Sequence, residues 1–363
     1  MKRLLSIFSS IVAVVSCVYP YEVPDLPEQE ECLVVDGSIV LGNYASLNLR
    51  YINDSYTRPR AENWWVEDDQ GTRYVASPGA GQIDLSQAPA DRYYRMVMQV
   101  NGKTYSSSLE KAVDPPVLEK ISFNAGEGVV NCNVSFKEGA SATGFVALSY
   151  EEIWKFHTQL VDEYEVDLIL CAVSKRKEPD YSRYWCWRYS KSIDETLVNL
   201  SYLGGVASEY PLRSFARGND RNHGDYTIRV RARSISDAEY RFHNNLNTPS
   251  EGYNLFTPNP GEMAGNVRCE DDTSIPVMGY VTLSYSSVLE AHLDDRYYVA
   301  APVNESSFIE PEPWEMYDLY YESDFRPVYS MKNDNMSVSY LWGPRRCIDC
   351  VADGGALDKP SFQ

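Results

Sequence analysis

The sequence is poor in histidine, in positive charge and in long apolar runs, and each shortage removes a class of function. Only four histidines occur in 363 residues, at positions 157, 223, 243 and 292. That scatter removes the short His-x-x-x-His spacing of zinc helices and leaves few bases to activate a nucleophile. Thirty-three Lys and Arg face 52 Asp and Glu, a net charge of −19, the reverse of what phosphate neutralisation needs, so no nucleic-acid partner is expected. There is no Gly-x-Ser-x-Gly elbow and no His-Glu-x-x-His. Gly79-Ala80-Gly81 and Gly126-Glu127-Gly128 both lack the third glycine of a dinucleotide loop. No fixed-period repeat or low-complexity block is present. These absences point to a non-enzyme, with no cofactor and no metal. Hydrophobic residues still make up 44% of the chain, ample for the packed cores of two or three domains.

The amino-terminal segment carries an apolar run of signal-peptide length. Met1-Lys2-Arg3 supplies a positive start, Leu4 to Val15 an apolar stretch, and small Ser16 precedes Cys17. The run falls short of the ~20 residues that a spanning helix needs, and Pro20 and Pro24 follow at once. Residues 1–16 therefore read as a signal peptide. Val14-Val15-Ser16-Cys17 resembles a bacterial lipobox, in which Cys17 is acylated and opens the mature chain. An unlipidated secretory peptide is the alternative. Acyl chains contribute ~0.8 kcal/mol per buried methylene, so two or more hold a soluble body stably at a membrane. Residues 17–31, rich in Pro and acids, read as an extended acidic spacer.

Beyond Cys17, seven cysteines remain, at 32, 132, 171, 186, 269, 347 and 350, an odd number that cannot all pair. In an exported chain disulfides are allowed, and Cys347-Ile348-Asp349-Cys350 is the best local candidate, with free thiols as the alternative. Zinc would need a second pair of ligands that is not there.

Short alternating strands dominate the remainder. Leu33 to Val40, Ala45 to Ile52, Trp64 to Thr72 with an acidic Gly turn, and Tyr93 to Tyr105 around Asn101-Gly102 suggest a β-sandwich over 32–114. Pro115-Pro116 marks a boundary. In the next module, 115–256, Val146, Leu148, Tyr150, Trp154 and Phe156 recur at every second place with only Glu152 breaking the apolar face, which predicts a long strand, with a helix as the alternative. Tyr164 to Ser174 continues the β pattern, as do Tyr184 to Tyr189 and Tyr226 to Arg233. Ser236 to Leu246 opens with Ser-Asp-Ala-Glu, an N-cap followed by acids, and predicts a short helix. After the turn cluster Thr257 to Gly261, a C-terminal β-rich region is expected over 257–363, with a strand at Val277 to Tyr285. The expected fold is mainly β, with tandem sandwich modules.

Several segments taken in order resemble one family, the Bacteroidota outer-membrane lipoproteins of domain-of-unknown-function family 4249. They are Cys17, Leu33 to Gly37, Tyr150 to Phe156, Cys186-Trp187, Tyr226 to Val230, Ser234 to Tyr240, Pro258 to Pro260 leading to Gly265-Asn266-Val267, Gly279 to Val281, Cys347 to Cys350 with Gly354-Gly355, and Lys359-Pro360. The resemblance implies an outer-membrane lipoprotein, exposed at the cell surface, with immunoglobulin- or fibronectin-type-III-like modules. It also implies a TonB-dependent transporter and its binding lipoprotein as partners, similar to those of starch utilisation. It brings no activity. Relatives tend to carry an aromatic pair after Lys359-Pro360, whereas this chain ends Ser361-Phe362-Gln363.

Tyrosine occurs 28 times and aromatics reach 13%, a supply suited to stacking on sugar rings or peptide side chains but equally to filling strand cores. Neighbours on a strand face opposite ways, so of Trp64 and Trp65 one should point to the core and the other outward, and Trp185 and Trp187 should share a face opposite Cys186. These four are the first candidates for ligand contact. Arg229, Arg231 and Arg233 alternate along one strand at about 7 Å spacing, either to clamp a carboxylated ligand or to pair with acids of neighbouring strands. Glu270-Asp271-Asp272 and Asp294-Asp295 are weak calcium candidates, and Gly224 comes one place too early after Asp220 for an EF-hand loop. The function expected is ligand capture, of a glycan or a peptide, for an outer-membrane uptake complex. The alternatives are a structural or adhesion spacer and a glycosidase acting through a carboxylate pair.

Overall fold

The computed structural model describes residues 32–52, 59–76, 81–137, 143–203, 209–247, 265–293, 307–334 and 337–362. The expected signal peptide, Cys17, the acidic spacer, Asp294-Asp295 and the turn cluster at 257–261 lie outside the described residues.

The first sandwich begins with β1 (Leu33–Val40), β2 (Tyr44–Tyr51), β3 (Asn63–Asp68), β4 (Arg73–Val75), β5 (Gln82–Asp84), β6 (Tyr93–Val100), β7 (Lys103–Ser107) and the two-residue β8 (Glu110–Lys111). Alternation decides the faces: Leu33, Val35 and Ile39 of β1 are buried, as are Tyr94, Met96, Met98 and Val100 of β6. Asn101 and Gly102 turn with φ of 50° and 70°, the backbone that a two-residue hairpin demands. One sheet runs β2 between β1 and β5, the other β6 between β3 and β7, and their inner side chains form a single core.

The second sandwich is built from β9 (Leu118–Ala125), β10 (Val129–Phe136), β11 (Phe145–His157), β12 (Asp162–Asp167), β13 (Ala172–Asp180), β14 (Trp185–Lys191), β15 (Thr196–Asn199), β16 (Glu209–Ala216) and β17 (Tyr226–Ser234). A three-stranded sheet β16-β10-β9 faces a five-stranded one in which β11 lies between β17 and β14, the two-sheet plan of immunoglobulin-like modules. Val130, Val134, Leu148, Trp154, Ile228 and Val230 meet between them; each fully buried aliphatic side chain of this kind is worth about 1.5–3 kcal/mol. The predicted strand at 146–156 is thus confirmed. Its one polar interruption, Glu152, is fully buried, within 3.0 Å of Arg213, 3.1 Å of Arg221 and 2.6 Å of the Tyr226 hydroxyl. Burial, and next the Glu152 charge, push that hydroxyl well above its ordinary pKa.

The strand expected across 164–174 is instead a hairpin. Asp167 Oδ1 accepts the N–H groups of Ile169 and Leu170, Cys171 adopts φ of 48°, and the tip leaves Ile169 94% exposed. The apparent alternation of Leu168 and Leu170 therefore runs through a turn, where the short Asp side chain satisfies the backbone.

The helix α1 (Asp237–Asn247) starts as expected, with Ser236 Oγ accepting the Glu239 N–H at 3.1 Å. Beyond it, three strands divide between the sandwiches. β18 (Val267–Cys269) pairs with β7, β19 (Val277–Ser284) runs parallel to β1, and β20 (Ser287–Leu293) pairs with β17. Residues 265–293 therefore do not belong to a separate C-terminal region, as the boundary at 257 supposed. They complete both sandwiches. Gly279 is required for the β1–β19 contact: its φ is +117°, and a Cβ there would lie 1.8 Å from the Val35 carbonyl oxygen.

The remaining chain forms α2 (Met316–Tyr321) and a hairpin of β21 (Phe325–Lys332) and β22 (Val338–Pro344) around fully buried Trp342. Residues 345–362 then run back along β14, where Trp187 and Ala356 exchange N–H···O bonds of 2.7 and 2.9 Å.

Candidate functional site

The β12–β13 hairpin and the β21–β22 hairpin border a cleft of about 510 Å³. Its wall carries Arg176, Arg183, Arg326 and Arg345, with Asp162, Glu165, Asp180 and Asp349 set among them, and Tyr164, Tyr320, Val166, Pro327 and Ile348 as the less polar lining. The charges are interlocked. Arg176 reaches Asp162 at 3.3 Å, Arg183 and Arg345 share Asp349 at 3.1 and 3.0 Å, and Arg326 meets Asp324 at 3.3 Å. Asp180, which accepts the Ser182 N–H at 2.8 Å, is held below the usual carboxylate range first by the Ser182 hydroxyl and then by that N–H. This is the opposite of what a general acid requires. Among the described residues no three His, Cys, Asp or Glu side chains converge to hold a metal.

Aromatic rings continue the cleft on two sides. Tyr320 lies on its wall with the Arg326 guanidinium 3.6 Å above its ring. The Tyr321 ring is 5.1 Å from Tyr320 and 4.8 Å from Tyr317, and Trp314 precedes Tyr317 by about one turn. Trp314, Tyr317 and Tyr321 are 72%, 59% and 62% exposed. On the other side, Tyr181 falls between the cleft residues Asp180 and Arg183 and packs on Tyr184, whose ring meets Trp185 and stacks on His157. His157 in turn stacks on His223 at 4.3 Å. Burial, then the neighbouring His157, lower the His223 pKa to about 4.

The tryptophans singled out in the sequence divide differently. Trp64 packs against the first core, while Trp65 faces outward, donates to Glu67 at 3.0 Å and lies 4.7 Å beneath Arg73. Neither belongs to the cleft. Trp185 and Trp187 do share a face opposite buried Cys186, flanking Lys155. Trp187, however, is covered by Lys359 at 4.8 Å, so only Trp185 adjoins the site. Of the three arginines, Arg229 bonds Glu290 at 2.7 Å and Arg233 joins Glu195 and Glu239. Arg231 Nε is buried without a hydrogen-bond partner among the described residues. The Arg229 guanidinium also lies 4.2 Å from the Phe362 ring, so the single terminal aromatic closes this face. A ligand clamp is therefore not free at Arg229 or Arg233.

The disulfide joins Cys350 to Cys186, not to Cys347, and Cys347 is a free thiol. A Cys-x-x-Cys spacing invites local pairing, but Cys186 projects into the core beside Phe156 while the returning chain brings Cys350 against it. Gly355 makes that approach feasible, since a Cβ there would lie 2.5 Å from the Cys186 Cβ. The residues that sequence reasoning missed are Trp314, Tyr317, Tyr320 and Tyr321. Their i, i+3, i+6, i+7 spacing is visible in the sequence, but it does not tell an exposed stripe from a buried one.

The mainly β fold and the ordered motifs agree with one assignment: the chain belongs to the family described as Domain of unknown function (DUF4249), which matches residues 19–289. A crystal structure of a DUF3823 family protein from Parabacteroides merdae is similar over 56% of this chain and 90% of that one, at 10% identity and a TM-score of 0.15. No curated protein matches the chain.

Proposed function

We propose that this protein is a non-catalytic ligand-capture lipoprotein of an outer-membrane, TonB-dependent nutrient uptake system, acylated on Cys17 and carrying its ligand site at the cell surface. The observation that carries the reading is the polar cleft flanked on both sides by solvent-facing aromatic rings, a form suited to holding a glycan or a peptide. A pure spacer has no use for three large aromatics exposed together along residues 314–321. A glycosidase would need a carboxyl kept protonated, whereas the cleft carboxylates are engaged by guanidiniums or Ser182. No described helix is long and apolar enough to cross a membrane.

Detergent extraction of native membranes followed by affinity capture tests the reading. A transporter barrel and its binding lipoprotein should come with the full chain in near-equal amounts, and Cys17→Ala should release the protein to the soluble fraction. A wild-type chain that is water-soluble from cells and lacks lipid would overturn the placement. Capture of lipidated protein without a transporter would overturn the uptake role.

A further inference from the structure

Resting on the ligand-capture reading, we infer that the cleft takes a neutral oligosaccharide, led in along the aromatic stripe of residues 314–321. Trp314, Tyr317 and Tyr321 present rings to solvent, and ring-to-ring contact runs from Tyr317 through Tyr321 to Tyr320 on the cleft wall, where Arg326 lies 3.6 Å above it. A pyranose ring has an apolar C–H face that stacks on such rings and a hydroxyl edge that both donates and accepts hydrogen bonds. The cleft offers what that edge needs. Its four guanidiniums are matched by four carboxylates on the same wall, so donors and acceptors alternate within a charge-balanced surface.

That balance separates the ligand classes. An acidic ligand must displace Asp349 or Asp162 from its arginine and leave a carboxylate unpaired in the same cleft, losing as much pairing as it gains. The segment 309–325 that bears the stripe has five glutamates and aspartates before Asp324 and no Lys or Arg, so anions are repelled on approach as well. A peptide draws on an open strand edge or on apolar pockets for alternate side chains, and this lining is dominated by charged groups. A sugar needs neither charge nor a sheet edge.

The test is calorimetric titration of the full mature chain with neutral hexose and pentose oligosaccharides, uronic-acid oligosaccharides and mixed peptides. A neutral oligosaccharide should bind with an affinity that changes less than about twofold between ~50 and ~500 mM NaCl, since no net charge is exchanged. Trp314→Ala and Tyr317→Ala, both exposed and expected to leave the melting temperature unchanged, should each weaken it about tenfold or more, while Trp65→Ala on the first sandwich should change it less than about twofold. Preferential binding of uronic acids or peptides, a steep salt dependence, equal effects of Trp65→Ala and Trp314→Ala, or no neutral oligosaccharide bound would each overturn the assignment. Co-purification with a transporter stands apart from these outcomes, so the uptake reading can survive failure of the sugar assignment, and the reverse.

Discussion

At the scale of single residues, His223 gives the sharpest expectation. It ends the short turn at Asp220–Asn222 and stacks on His157, whose ring in turn meets Trp185 edge-on. Its pKa is lowered to about 4 by burial and then by His157, against ~6.5 in an unfolded chain. Between those values the unfolded chain binds a proton that the folded chain does not, so folding stability from this group is full above about pH 6.5 and is lost as pH falls toward 4. The ring is only partly buried, and solvent screening reduces the effect to about 1–2 kcal/mol. Urea unfolding at about pH 7.5 and about pH 5 should therefore show wild type losing about 1 kcal/mol more than His223→Gln. Equal losses in the two proteins would remove His223 from the pH response. Glu152 shows what the sequence can reveal at this scale. The one carboxylate in an otherwise apolar alternation is conspicuous, and its burial follows from the strand reading. Its partners Arg213, Arg221 and Tyr226 lie 61, 69 and 74 residues away, beyond the reach of any local pattern.

At the scale of elements, local patterns succeeded wherever the backbone chemistry was also local. The Asn101-Gly102 turn, the acidic turn after β3, the Ser236 cap and the thirteen-residue strand β11 all follow from periodicity and short-range hydrogen bonding. The hairpin tip at 168–171 defeated the same reasoning because apolar side chains occupy a turn, and nothing local announces that they face solvent. The disulfide failed for a different cause. Cys-x-x-Cys proximity is local, whereas the bond made spans 164 residues and depends on β14 meeting the returning tail. That bond constrains a long loop, and its loss should cost about 2–5 kcal/mol. Cys186→Ser should also free residues 345–362 from β14, so that limited proteolysis cuts the tail early while the β11–β17 sheet persists. Cys347→Ser should leave both stability and cleavage pattern unchanged. If the two are reversed, with Cys347→Ser destabilising and Cys186→Ser without effect, the local pairing expected from sequence is restored.

At the scale of the whole molecule, the two sandwiches are interleaved rather than strung in series. Chain order passes from the first sandwich to the second, returns to the first for β18 and β19, and then rejoins the second with β20. Nothing in a window of ten residues reports such a return, because β19 has the same alternation whichever sheet receives it. The consequence is energetic. β1 sits between β2 and β19, and Val281 and Leu283 belong to the same core as Leu33, Val35 and Ile39. A chain ending at 256 keeps every residue that sequence reasoning assigned to the first two modules. Yet it strips β1 of its eight-residue parallel partner, uncovers that core and leaves β17 as an open edge in the second sheet. Such a fragment should be recovered mainly as aggregate, with no cooperative melting transition, because exposed apolar strand edges pair with other chains. Supplying residues 265–293 as a separate peptide should restore a transition if interleaving alone is the cause. A fragment that ends at 256 and melts cooperatively would mean that each sandwich is self-sufficient and that β19 only decorates the first.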